Sequence, residues 1–201
     1  MPSKPASEIL DACARRGRFV TRYVTRVTSR CTSDSDKNQV VAGAMIAYVA
    51  FFEAQLEELF VGLMTGQLIH SQSHVRPVVI LPNKRAAKSI ISAGRAYVDW
   101  LPYEQHLKRR APSFFVDGAP FVGLDSVSRA ALEKATTIRN ALAHASDHSQ
   151  KSFEKKFITG RQIPVSQRRP APYLRGQHSI GRTRFDATVS ELVLVMQQLT
   201  S

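Results

Sequence analysis

The sequence has little covalent bracing: two cysteines, Cys13 and Cys31, stand in 201 residues. No Cys-x-x-Cys occurs. The pair fits reduced thiols in a cytoplasmic protein and leaves no disulfide framework. The six histidines are scattered rather than grouped at ligand spacing, so no metal site is expected. Gly-x-Gly-x-x-Gly, a Walker loop and Gly-x-Ser-x-Gly are all missing, so no cofactor is expected either. The longest apolar run, VVAGAMIAYVAFF at residues 40–52, is shorter than the roughly 20 residues that cross a bilayer. The opening MPSKPASEIL lacks the charged-then-apolar order of a secretory signal, and no membrane partner is expected.

Acidic side chains are also scarce. Asp and Glu number 16 against 28 Lys and Arg, a formal charge of +12, and 19 of the 28 are Arg. A surplus of that size favours polyanionic partners. Arginine is the residue suited to bidentate contacts with phosphate. Hydrophobic residues make up 43%, which is ordinary for a folded soluble chain. The length fits one domain, at about 150 residues per domain.

Strand-type alternation is nearly absent, and the periodicity predicts an all-α bundle of four to five main helices. A first helix spans about 7–30, with Ile9, Cys13, Val20, Val24 and Val27 inward. Arg22, Arg26 and Arg30 form a ridge on another face, either plain solvated surface or an RNA-facing edge. A second helix of some thirty residues begins after Ser33–Asp36 and is apolar nearly all round. Glu53, Glu57 and Glu58 interrupt it. Glu57 and Glu58 are expected to face solvent, and Glu53 to be partly buried and paired. A third helix, capped by Asn83, is expected to reach about Trp100 with Ile90, Ile91, Ala93, Tyr97 and Leu101 inward, and a short fourth covers 103–110. Phe114, Phe115 and Phe121 lie in a Pro/Gly-rich loop and are expected to tuck onto the bundle. A helix capped by Asp125 or Ser126 runs to about Ser146. A shorter piece covers 150–157, a basic loop 159–183, and a last helix 184–199. The whole chain, 1–201, reads as one domain with a flexible N-terminus at 1–6.

Residues 136–148, TTIRNALAHASDH, carry the chemistry. At about 100° per residue, Ala131, Ala135, Ile138, Leu142 and Ala145 form an apolar seam. Thr136, Asn140 and His144 form a ridge roughly opposite, with Arg139 between the two. The bare Arg-x4-His spacing is expected by chance in a chain so rich in Arg. The string RNALAH on a capped amphipathic helix of a basic all-α protein is more specific. It resembles the Arg-x4-6-His signature of HEPN domains, and AYVAFFEAQLEELF is similar to the long second helix of the RiboL-PSP-HEPN group. Glu53 falls at a common acidic position of that family.

The resemblance implies a HEPN-like helical bundle and a metal-independent RNA endonuclease. Arg139 and His144 would be catalytic, Asn140 supporting, and the site shared by a homodimer. Such proteins serve in toxin–antitoxin and antiphage defence, which implies a possible cognate antitoxin protein. Inactive HEPN-like modules that bind RNA or a protein partner are the alternative, although those usually lose the Arg or the His. A basic helical DNA-binding regulator is disfavoured, because no short helix–turn–helix with a basic recognition helix stands out. Independently of the family, an imidazole titrates near neutrality and suits proton transfer, and a guanidinium forks onto phosphate oxygens. One helix does not aim two side chains five apart at one point, which favours two facing copies.

Residues 155–185 form the second candidate. They hold two Lys, six Arg and no carboxylate, with Tyr173 and His178 interleaved. Arg168, Arg169 and Arg175 are the expected RNA phosphate contacts. The competing expectation is a mobile solvated loop.

Overall fold

The structure is a computed structural model that describes residues 3–144 and 146–201. It is mostly helical. Helix α1 (Ser7–Thr28) and helix α2 (Asp34–Met64) are joined by a short turn. Ser33 caps α2 by accepting the Asp36 N–H at 3.0 Å. The other main helices are α3 (Lys84–Ser92), α5 (Ser126–Ala143), α6 (Asp147–Phe157) and α8 (Arg184–Thr200), with one-turn pieces α4 (Leu107–Arg110) and α7 (Pro170–Arg175).

The apolar run at 40–52 explains the arrangement. Helix α2 buries Val41, Met45, Val49, Phe52, Leu56 and Phe60 on one flank and Tyr48, Leu59 and Leu63 on others. A helix apolar nearly all round must be covered on several sides. Here α1, α3, α5, α7 and α8 pack on it. By length and composition alone α2 would also cross a membrane, but it serves as the central core helix. Helix α1 crosses close to α8 and α2 at Gly17. A Cβ there would sit 3.1 Å from Val189 and 3.2 Å from the Tyr48 hydroxyl. That glycine, which weakens the helical signal of α1, is what the crossing requires. Phe60 anchors the other end of α2, with ring centroids 5.0 Å from Trp100, 4.8 Å from Phe115 and 4.9 Å from Phe121. The loop phenylalanines thus do reach the core, Phe114 only in part.

Several boundaries differ from expectation. The third helix stops at Ser92, because the chain turns left-handed at Ala93 (φ 46°). Beyond that turn, irregular chain brings Trp100, Leu101 and Tyr103 inward, while Ile90 (51% exposed) and Tyr97 (74% exposed) face outward. The fourth helix is only Leu107–Arg110. Within the segment expected to be flexible, Lys4–Pro5 and Ala6 are tied down. Strand β1 (Lys4–Pro5) pairs in parallel with β2 (Leu68–Ile69), and Ala6 is buried. Glu57 and Glu58 are half-buried and paired, Glu57 with Lys88 at 2.6 Å and Glu58 with Lys84. The basic loop is largely structured. It contains a 3-10 turn (Val165–Gln167), α7, and a hairpin of β3 (Gln177–Ser179) and β4 (Arg182–Thr183). Thr183 and Asp186 then form a reciprocal capping box that starts α8.

Phe60→Ala should lower stability by about 3–5 kcal/mol, the cost of emptying a fully packed aromatic site. Val127→Ala, at a residue 74% exposed, should stay within about 0.5 kcal/mol. Urea denaturation of the two variants checks this, and equal midpoints would contradict the place given to Phe60.

Candidate active site at the end of the fifth helix

Asp125 starts α5 by accepting the Ser128 N–H at 2.6 Å. The helix ends at Ala143, earlier than periodicity suggests. The His144 N–H still donates to the Asn140 carbonyl at 2.9 Å, but the His144 backbone is already extended (φ −122°, ψ 122°). The reason lies in the next helix. Ser146 is the N-cap of α6, accepting from the Ser149 N–H, and an N-cap needs extended backbone. Gln150 also donates to the Ala141 carbonyl at 2.7 Å, satisfying an acceptor that a helix end leaves open. Asp147–Phe157 therefore begins three residues before the expected start. The Ser146-x-x-Ser149 pattern was the available signal.

These boundaries rearrange the expected ridge. Thr136 is buried and its hydroxyl donates to the Leu132 carbonyl at 2.7 Å, because α6 packs over that face. Asn140 is half-buried, and His144 stands exposed just past the helix. In the seam Ala131, Ala135 and Ile138 are buried and Leu142 is partly so; Ala145 lies outside the described residues.

Arg139 points to the core side, towards α2. Its Nη2 donates to Glu53 at 3.2 Å (Oε2) and 3.4 Å (Oε1). Both side chains are about a quarter exposed. Glu53 is thus partly buried and paired, as its place one turn after Val49 suggests. Burial pushes the Glu53 carboxyl above its ordinary value, Arg139 opposes that rise, and Asp99 adds to it. Arg139 is consequently held in place, a guanidinium positioned at the C-terminal end of α5, where a positive charge suits the helix dipole.

Asn140 also lines a polar cleft of about 460 Å³ between α5, α6 and residues 102–105, together with Arg129, Thr137, His148 and Lys156. Lys156 donates to Glu133 at 2.7 Å and to the Thr137 hydroxyl at 3.2 Å. Arg139 and His144 do not line this cleft. His148 was not singled out from the sequence, since only the packing of α6 on α5 places it there.

The basic segment divides. Arg168 and Arg169 are exposed, Arg168 turned back to the Ile163 carbonyl at 3.1 Å. Arg175 is engaged: it donates to Asp34 at 2.8 Å and Asn38 at 2.9 Å, docking α7 on the start of α2. That guanidinium holds the Asp34 carboxyl below its usual range. Cys13 is buried and its thiol is pushed up to about 12, which makes it inert.

Compared with known protein families, curated proteins and solved structures, this chain matches none.

The Glu53–Arg139 pair makes stability depend on pH in a definite direction. A raised carboxyl value means the fold binds that proton more tightly than the unfolded chain. Its contribution therefore favours the fold at low pH and is lost as pH climbs from 4.5 through the folded value. Arg139→Ala removes the opposing cation and should steepen this loss. The melting temperature of the variant should fall more than that of the wild type as pH is raised above 4.5. Glu53→Gln in the same background should flatten the profile again. Parallel profiles for wild type and Arg139→Ala would show that the pair carries no electrostatic coupling.

Proposed function

We propose that this chain is a metal-independent RNA endonuclease of the HEPN type, acting as a homodimer in a toxin–antitoxin or antiphage role. One observation carries this function. Arg139 of the RNALAH string is fixed by Glu53 from α2 at the end of α5, and the exposed His144 comes directly after that helix. The net charge of +12 suits a polyanionic substrate.

The nucleophile comes from the RNA itself. The 2′-oxygen of the RNA attacks the adjacent phosphorus as its proton passes to a base. The P–O5′ bond breaks and the 5′-oxygen takes a proton. The products are a 2′,3′-cyclic phosphate and a 5′-hydroxyl. His144 moves protons in this step. Arg139 forks onto the non-bridging oxygens and stabilises the charge that builds on them. Asn140 orients the ring or a phosphate oxygen. Two copies facing across a two-fold axis supply the converging set, one imidazole for each proton transfer. Arg168 and Arg169 add phosphate contacts away from the cut. Arg175, already held by Asp34 and Asn38, contributes mainly by seating α7.

Incubation with total RNA in EDTA should give cleavage, and His144→Ala should lower it by about 10²–10⁴-fold, the scale of a positioned proton-transfer group. Arg139→Lys separates catalysis from folding, because a lysine can keep the charge pair with Glu53 but not the fork. It should cleave far more slowly at nearly unchanged melting temperature. Full activity in a cleanly purified His144→Ala protein would remove His144 from the mechanism. For the shared site, mixed His144→Ala and Arg139→Lys subunits should differ in activity from either variant alone. A strictly monomeric mass at active concentrations would defeat the dimer.

A further inference from the structure

A second cavity lies away from Arg139, enclosed by α5, the end of α6, α7, the β3–β4 hairpin and α8. Its volume is about 380 Å³. Arg161, Arg184, Lys134 and His178 line it, and no carboxylate does among the described residues. Lys134 is already paired with Glu191, which leaves Arg161 and Arg184 as the two guanidinium groups for a ligand. Phe157 and Tyr173 supply an aromatic wall, with ring centroids 5.6 Å apart.

Arg184 is held in one position. Its Nη1 donates to Gln167 at 2.9 Å and to the Tyr173 carbonyl at 3.0 Å, and its guanidinium carbon lies 4.6 Å from the Tyr173 ring centroid. The chain beside it is Gly176, where a Cβ would collide with Arg184 Nη1. The glycine makes room for the guanidinium. Among the described residues, Nε and Nη2 have no hydrogen-bond partner. Those two atoms form the side edge of a guanidinium, which grips two oxygens of one anion. Arg161 lines the same cavity and is close enough to act electrostatically on the Tyr173 phenol. Burial raises that phenol, Arg184 and Arg161 pull against the rise, and Glu191 adds to it.

We propose that this cavity binds the terminal phosphate of a nucleotide, with Arg184 and Arg161 on the phosphate oxygens and the base against the Phe157 and Tyr173 wall. Two guanidinium groups match the charge of a phosphate monoester. The volume falls within the roughly 300–1,000 Å³ typical of small-ligand sites. The source is either a free nucleotide or the 5′-phosphorylated end of an RNA. The site does not depend on the cleavage chemistry at Arg139 and His144.

Calorimetric titration of the full chain with inorganic phosphate, adenosine 5′-monophosphate and a short RNA, the last with and without a 5′-phosphate, tests this. Adenosine monophosphate should bind more tightly than phosphate alone. Arg161→Gln, at an exposed position, should weaken binding about tenfold, the loss of one charge-assisted contact. Arg184→Lys, which keeps the charge and loses the fork, should weaken it as well. Arg85→Gln, at an exposed position of α3 outside the cavity, should leave it unchanged. If only RNA binds, and only when 5′-phosphorylated, with the same loss in Arg161→Gln, the source is the RNA end. Absence of heat with phosphate and adenosine monophosphate, together with equal binding of the two RNAs, would overturn the proposal, as would equal affinities for wild type and Arg161→Gln. Phosphate and adenosine monophosphate carry no internucleotide linkage to cleave, so their binding reads out this cavity whether or not the nuclease site is active, and the two RNAs differ only at the 5′-phosphate.

Discussion

A helix that is apolar on nearly every side cannot stay in water, and α2 (Asp34–Met64) sets the terms for the rest of the molecule. Covering it recruits α1 and α8 on one side and α5 on another, while the loop phenylalanines close over Phe60. Glu53 rides on this helix at the edge of the covered zone. A carboxylate there needs a cation, and α5 brings Arg139 to it at 3.2 Å. The same contact that satisfies a half-buried acid fixes the guanidinium that the proposed chemistry uses. Packing and site are coupled through one ion pair, so substitutions at Arg139 act on both.

Much of this was legible in the residues. The cap at Asp125, the start of α8 at Arg184 and the core faces of α1 and α2 come from periodicity and capping chemistry alone. So did the pairing of Glu53, one turn after a buried valine. Failures came where tertiary packing overrides a local pattern. The third helix is a different case: Gly94, left-handed at φ 82° beside Ala93, is a local stop signal that a helix to Trp100 runs through. Thr136 has the right spacing for an exposed ridge, but α6 folds back over it. His144 has helical spacing from Asn140, but Ser146 claims the extended backbone that starts the next helix. The basic segment looks like a loop because Pro and Gly punctuate it. Contacts distant in sequence, such as Arg175 with Asp34, give it order that no local reading contains.

The cations are not used uniformly. Arg175 secures α7, and Arg184 ties that helix to α8 while lining a cavity. Arg139 is held by Glu53, and Arg168 and Arg169 stay exposed. A count of charges suggests nucleic acid, and the partners of each guanidinium separate the arginines that hold the fold from those free to meet a ligand.

In the proposed reaction the RNA supplies its own nucleophile while His144 and Arg139 manage protons and charge. The most direct measurement uses an RNA cleaved at one mapped position and the same RNA with a single 2′-deoxy nucleotide 5′ to that phosphate, both in EDTA. The expected products are a 2′,3′-cyclic phosphate and a 5′-hydroxyl from the first, with no cleavage of the second at that position. Cleavage of the deoxy-substituted strand, or products ending in a 3′-hydroxyl, would contradict it.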